Sequence, residues 1–365
     1  MRYLFVANTP AHVHLFRHPA SRLQEMGHEV LVVARDYGCT VDLLEYHEVP
    51  HVVANRAEMS QLSVLTDAPN HIYSRLSEAR AFDPDVVFGM GADTALVGAA
   101  LRVPVVLVVD SEPDGLDHAI SKRLSRVLLT PHAFGKDLGK KQYRFRGFKE
   151  NAYLHPDVFE PDTSVREELG LEPDEPFAIL RFNAWGAHHD VSQEGINPRQ
   201  RRELIEKLAD HVTVLVSDEE FEGESFDLDG RARAFDIHPA RLHDALAEAD
   251  LLVADTQTMV TEAALMGTPA IRSNSFVGDD DMGNFQELEE AGLIYNTRNF
   301  ETVLDRSLDI VSDPDAGTEW MDRRDAYMAD QVNLTDLLLD VAENQGEMDA
   351  VEATANWRFD RTPTA

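Results

Sequence analysis

The sequence predicts an α/β protein made of two doubly wound, Rossmann-like halves. Short apolar runs such as Tyr3–Ala7, Glu29–Ala34 and Phe177–Arg181 alternate with stretches of helical spacing, the pattern of a parallel sheet with crossover helices. That alternation stops around Pro156 and Pro161 and then begins again. A chain of 365 residues, 43% of them hydrophobic, exceeds one ordinary core and suits two.

Tyr3–Ala7 reads as a buried strand ended by the turn Asn8-Thr9-Pro10. A helix over 11–26 follows, with Val13, Phe16, Ala20 and Leu23 on its apolar face and Gly27 as its stop. Glu29–Ala34 and Val49–Val53 are the next strands, and a mostly polar helical stretch spans 57–82. The strand Asp85–Met90 delivers Gly89-Met90-Gly91-Ala92-Asp93-Thr94 to its carboxyl end, ahead of a small-residue helix over 95–101. Pro104–Val109 brings Asp110-Ser111-Glu112 to the same edge, where open α/β sheets bind ligands, and Val127–Leu129 closes the first sheet.

In the second half, Phe177–Arg181 is a strand, and the loop from Phe182 to Asp190 is the densest polar and aromatic cluster of the chain. A helix over 197–210, a strand Val212–Val216, an acidic Gly-punctuated segment over 217–230 and a helix over 238–249 come next. After the strand, turn and helix of 250–266, a helix is expected over 285–291 and a last one over 319–343 that crosses back to the first half. The expected organisation is an N-terminal domain over 1–150, a linker over 151–175, a C-terminal domain over 176–316, a returning helical segment over 317–346 and a flexible tail over 347–365.

The composition narrows the function. The formal net charge is -33, from 66 acidic against 33 basic residues spread along the whole chain. Self-repulsion of that size is easiest to reconcile with concentrated salt, where the Debye length falls to ~3 Å at 1 M, so the acidity reads as halophilic adaptation. Such a surface repels nucleic acid and anionic lipid. Cys39 is the single cysteine, which excludes an internal disulfide and a thiolate zinc cluster. The apolar run at the N-terminus is too short for a signal or spanning segment, so a cytoplasmic location and no transmembrane segment are expected.

The most informative stretch runs from Ala249 to Pro269. Four apolar residues after Asp250 fit a buried strand, Thr256 to Thr258 fit a turn and N-cap, and Met259 to Met266 fit a short helix closed by Gly267. The first turn of such a helix offers backbone N–H groups and a partial positive charge to a phosphate. Glu262, four residues after Thr258, lies on the same helical face, where a carboxylate accepts hydrogen bonds from a ribose diol. The alternative is an ordinary helix behind a parallel strand, with Glu262 on a solvated face.

This stretch resembles the donor-binding segment of GT-B nucleotide-sugar enzymes, among them the non-hydrolysing UDP-N-acetylglucosamine 2-epimerases, which carry Asp-Ser-Gly-Gly-x-Gln-Glu-Glu-Ala here. The lipid-linked N-acetylglucosaminyltransferases of peptidoglycan synthesis have a comparable run ending in the same Glu. The resemblance implies that Thr256 contacts phosphate and that Glu262 meets the ribose, and Asp255, Gln257, Thr258 and Met259 are the further candidates for binding the nucleotide sugar. Gln257 and Thr258 stand where small residues are usual. The opening Ala7-Asn8-Thr9-Pro10-Ala11-His12-Val13-His14 and the loop Phe182 to Asp190 also resemble domain-of-unknown-function family 354, common in archaea, over Met1 to about Gly346. That resemblance implies a GT-B-like fold, two domains facing a cleft, with His12 at the cleft. No Gly-x-Gly-x-x-Gly fingerprint is present, which disfavours a redox dinucleotide domain.

Asp93 and Glu112, at the ends of successive strands, can divide acid and base roles. The epimerases similarly carry Gly-Asp-Thr after one strand and Glu after the next. The bland alternatives are that Asp93 caps a helix and that Glu112 is a surface acid. Arg181 is the best cation to face a diphosphate, with His188 and His189 beside it. Adjacent ligands such as His188-His189-Asp190 rarely converge on one ion, and Asp-x-Asp strings are background in so acidic a chain, so no metal is expected. No cofactor is expected either, the nucleotide sugar being the substrate.

The reading is a metal-independent glycosyltransferase that uses a nucleotide-activated sugar, a UDP-sugar foremost, in surface glycan or glycoconjugate synthesis. A sugar-nucleotide epimerase and a non-catalytic nucleotide-sugar-binding protein are the alternatives. Its partners are then the donor and an acceptor the sequence does not name, and a homo-oligomer is open to it. If the charge is an adaptation to salt, the unfolding temperature should fall when salt is diluted from molar to tens of millimolar; an unchanged temperature would contradict it.

Overall fold

Arg2–Ala7 forms the strand around which the first sheet is laid in the computed structural model, which describes residues 1–54, 74–112, 115–182, 195–218, 230–278, 281–355 and 359. The chain divides into unit 1, Met1–Phe159 with Gln331–Ala365, and unit 2, Glu160–Asp330. Unit 1 runs β1 (Arg2–Ala7), α1 (Pro10–Glu25), β2 (Glu29–Ala34), α2 (Thr40–Tyr46), β3 (His51–Val53), α3 (74–82), β4 (Val86–Gly89), α4 (Gly91–Leu101), β5 (Val105–Val108), α5 (Gly115–Leu124), β6 (Val127–Pro131), β7 (Gln142–Phe145) and α6 (Asn151–Leu154). Unit 2 contains α7 (Val165–Glu168), β8 (Phe177–Phe182), α8 (Pro198–Leu208), β9 (Thr213–Asp218), β10 (Ala232–Ala234), α9 (Leu242–Glu248), β11 (Leu251–Ala254), α10 (Thr258–Met266), β12 (Ala270–Arg272), α11 (Gly283–Glu290), β13 (Ile294–Asn296), α12 (Phe300–Ser312) and α13 (Ala316–Met328). The chain then returns to unit 1 as α14 (Leu334–Glu343) and α15 (Met348–Ala355).

The first sheet has the order β3-β2-β1-β4-β5-β6-β7 and the second β10-β9-β8-β11-β12-β13. Every strand pairing in both is parallel. The order reverses between β1 and β4 in unit 1 and between β8 and β11 in unit 2. These are the switch points where crossovers leave to opposite faces and the strand ends open a crevice.

Side-chain alternation fills both faces of each sheet. On β1, Leu4 and Val6 pack with Val33, Val87 and Val97 on one face. Phe5 stacks on Phe88 with centroids 5.1 Å apart and touches Phe16 of α1 at 5.3 Å on the other. Tyr3 donates its hydroxyl to the Ala342 carbonyl of α14 at 3.2 Å, and Thr335 donates to the Ala152 carbonyl of α6 at 2.6 Å, so the returning helix is fastened to β1 and α6. Unit 2 packs Leu180, Phe182, Val214, Val253 and Ile271 from its sheet against Leu204 and Ile205 of α8 and Val303 of α12.

Several segments differ from the sequence-based expectation. Gln142–Phe145 adds an edge strand beyond Val127–Pro131 and closes the first sheet; its polar residues are absorbed by hydrogen bonds, Gln142 and Arg144 both donating to the Lys136 carbonyl. Within the expected linker, Asn151–Leu154 is a fully buried helical turn of unit 1. The stretch over 319–343 is two helices, because Asn333 caps a new start by accepting from the Thr335 and Asp336 N–H groups. Trp320 and Met328 of the first are buried, and Leu334, Leu337 and Val341 of the second. In the expected tail, Met348–Ala355 is a helix whose Met348 and Val351 are buried. The helix expected over 95–101 starts at Gly91, so Asp93 stands on its first turn.

Gly98 lets α4 lie directly on β5, since a Cβ there would run into the Val105 side chain. Gly98→Ala should destabilise unit 1 by about 1–3 kcal/mol, read by denaturant unfolding, through overpacking; an unchanged midpoint would contradict this contact.

Candidate functional site

At the β1/β4 switch point, unit 1 gathers charged and polar groups from five segments. Asn8, just past β1, uses its backbone N–H to donate to His12 Nδ1 at 3.2 Å and its side-chain amide to donate to Asp93 Oδ2 at 2.7 Å. Arg75 of α3 donates to the same Asp93 oxygen at 2.5 Å, and the Thr94 N–H donates to Asp93 Oδ1 at 2.8 Å. Asp93 is therefore held on both oxygens. Beyond β5, Asp110 pairs with the buried Lys149, which also meets Glu150 at 2.8 Å. Burial opposes the Lys149 charge, but Asp110 and then Glu150 outweigh it and raise its ammonium above the usual lysine range. Burial pushes the His12 imidazole down to about 4, against the pull of Asp93 and Asp110 and with the help of Lys149 and Arg75.

The sequence-predicted residues of unit 1 separate here. His12 and Asp93 belong to one cluster through Asn8. Glu112 turns its carboxylate to the Gly135 N–H at 3.1 Å. Sequence reasoning missed Arg75, Asp110 and Lys149 as members. Asp110 had a signal, its place at a strand end, and Lys149 had a weaker one, a lysine in an acidic chain whose cations are mostly arginine. Arg75 had none, because only the fold carries α3 to this edge.

In unit 2, β8 and β11 pair with Ala254 opposite Arg181, and the Asp255 N–H donates to the Arg181 carbonyl at 3.2 Å. Arg181 and the turn Asp255–Thr258 are thus adjacent at the second switch point. Arg181 donates to Ser217 Oγ at 2.7 Å. The Asp255 side chain is buried 3.7 Å from Arg201, inside the unit. Gln257 is the N-cap of α10 and gives no side-chain cap bond. Thr256 Oγ1, and Ser275 Oγ beyond β12, are buried hydroxyls without a hydrogen-bond partner among the described residues. Thr258 and Met259 open the helix, half-buried. His188 and His189 lie outside the described residues.

Glu262 is not on a solvated face. It is 2% exposed, and His243 of α9 meets its Oε1 at 3.0 Å. The contact runs from His243 Nε2 to Glu262 Oε1, so an ionised Glu262 would accept from a proton on Nε2. No sequence signal joined the two, because α9 and α10 are brought together by packing alone.

The equivalent turns of the two units differ in one decisive respect. In unit 1, Gly91 has φ +82°, and Asp117 of α5 enters beside it to accept the Ala92 N–H at 2.5 Å, placing a carboxylate on the α4 N-terminus. In unit 2, the N-cap Gln257 places no side chain on the α10 N-terminus, and the turn before it carries the Thr256 hydroxyl and follows the strand paired with Arg181. A helix start of that kind accepts an anion; one already holding a carboxylate repels it. Among the described residues, no group of three His, Cys, Asp or Glu is placed to hold a metal ion, and no helix is long and apolar enough to cross a membrane.

The profile of a family described as "Protein of unknown function (DUF354)" matches residues 3–343. No curated protein matches the chain. Among solved structures, the spinosyn forosaminyltransferase SpnP is similar, at 15% identity over 95% of this chain and 100% of that one with a TM-score of 0.66. The UDP-GlcNAc 2-epimerase from Neisseria meningitidis bound to UDP-GlcNAc matches at 12% identity over 94% and 100% with a TM-score of 0.66. MurG of Acinetobacter baumannii matches at 18% identity over 94% and 100% with a TM-score of 0.57. At these identities the likeness establishes a GT-B-like fold, as the sequence predicted.

Lys149 neutralises the buried Glu150 and the partly buried Asp110 at once, so Lys149→Met should lower stability by about 1–3 kcal/mol, measured by denaturant unfolding. A loss within experimental error would show that Asp110 and Glu150 do not depend on it.

Proposed function

The chain belongs to the DUF354 family, and from that premise we propose that it is a glycosyltransferase-like enzyme that takes a nucleotide-activated sugar, a UDP-sugar foremost, in unit 2 and an acceptor in unit 1. The observation that carries this is the α10 N-terminus at the β8/β11 switch point, which its N-cap Gln257 leaves without a side-chain cap and which adjoins Arg181's strand and Thr256, whose hydroxyl, like that of Ser275, has no partner among the described residues, set against the α4 N-terminus that holds the Asp117 carboxylate. The diphosphate of the donor sits on the first turn of α10, where N–H groups and Arg181 stabilise the charge that develops as the nucleotide departs. Glu262 accepts from the ribose hydroxyls, oriented by His243. No metal is required by this arrangement, because the helix and the arginine meet the charge. Synthesis of surface glycans or glycoconjugates is the process in which we place it.

An epimerase is the second reading, favoured by Asp93-Thr94 after β4 and Glu112 after β5. Against it, Asp93 already accepts from Arg75, Asn8 and Thr94, which suits a positioning role better than proton transfer. Epimerisation at C2 removes a proton and returns one from solvent. Sugar nucleotide and enzyme alone in heavy water should therefore leave C2 unlabelled, with nucleotide release dependent on acceptor; deuterium at C2 would replace transfer by epimerisation.

Because Glu262 is buried against His243, its removal disturbs packing, and the isosteric Glu262→Gln is the informative change. It should weaken UDP binding in molar salt by about 1.5–3 kcal/mol, the worth of hydrogen bonds to a charged group, while the unfolding midpoint stays near the parent's. Equal affinity would place the ribose elsewhere.

A further inference from the structure

We infer that His12 presents a fixed N–H from Nε2 to the ligand of unit 1 and does not serve as the base that withdraws a proton from it. The identity of that ligand rests on the function proposed above; the protonation pattern of the ring does not.

The geometry is local. A backbone N–H can only donate, so the Asn8 N–H at 3.2 Å from Nδ1 requires a lone pair on Nδ1. A neutral imidazole has a single N–H, which must then be on Nε2. The same bond resists protonation, because a proton on Nδ1 would set two N–H groups face to face. Nε2 makes no hydrogen bond among the described residues, and His12 is only partly buried, so its N–H is left for a ligand oxygen.

The charged groups that reach the ring are Asp93, Asp110, Lys149 and Arg75, and each is engaged with another: Asp93 with Arg75, and Asp110 with Lys149. Neither acid is placed to compensate an imidazolium fully, and burial disfavours one. The folded imidazole therefore binds a proton less readily than the unfolded one. A neutral N–H aimed at an oxygen stabilises negative charge developing there without surrendering its own proton, as a base at Nε2 could not.

The test is nitrogen NMR of the full chain labelled with 15N-histidine, with no ligand added, recorded from about pH 8 to about pH 5 across the usual imidazole range. His12→Gln and His12→Asn each assign the His12 signals by their disappearance, so one of the two suffices if the other fails to fold. The expected pattern is an unprotonated Nδ1 and a protonated Nε2 that persist through the whole range. A protonated Nδ1, or His12 signals that titrate near the ordinary value of about 6.5, would overturn the inference. Failure of UDP to bind would instead remove the nucleotide-sugar reading and leave this result standing.

Discussion

Parallel pairing with a single reversal of strand order is the constraint on which both units depend. Each sheet grows in both directions from a central pair, β1 with β4 and β8 with β11, and sends its crossovers to opposite faces there. The carboxyl ends of that pair cannot be covered by either crossover, so the chain segments just past them meet at an edge. His12 and Asp93 meet at the first such edge, Arg181 and Thr256 at the second. Neither pair is near in sequence; topology alone makes them neighbours.

The two edges have been filled with opposite chemistry. That of unit 1 is a lattice of paired charges in which Asp117 occupies a helix start, Arg75 and Asn8 hold Asp93, and Lys149 holds Asp110. Removing one partner leaves a charge in a partly desolvated site uncompensated, which makes the members of the lattice interdependent. That of unit 2 has a helix start without a side-chain cap and, among the described residues, two unpartnered hydroxyls, with Asp255 turned to Arg201 and Glu262 paired with His243. A carboxylate already on the helix start disfavours an anion at the first edge, and the proposed function places the diphosphate at the second.

The fold was legible because its strands are continuous apolar runs and its turns carry strong punctuation. Gly267 ends α10 with φ +83°, as its place after Met266 suggested. The failures have physical causes. Gln142–Phe145 alternates polar and aromatic residues and owes its place to the sheet edge it meets, and the break at Asn333 is a capping event inside what reads as one helical stretch. Of the candidate sites, the strand-end residues were legible and their partners were not. Arg75 with Asp93, Lys149 with Asp110, and His243 with Glu262 are joined across 18, 39 and 19 residues of sequence. Glu262 itself was placed on the correct helix, but the tight packing that buries it arises from α9, which no periodicity connects to it.

On the proposed function the α10 N-terminus, and not that of α4, receives the diphosphate. Amide hydrogen exchange in molar salt, with and without saturating UDP, separates the two helices directly. Ligand-dependent protection of the amides of Thr256 to Val260, with exchange at Gly91 to Thr94 unaltered, is the predicted result. Protection at Gly91 to Thr94 instead, or exchange unchanged at both turns, would contradict the account.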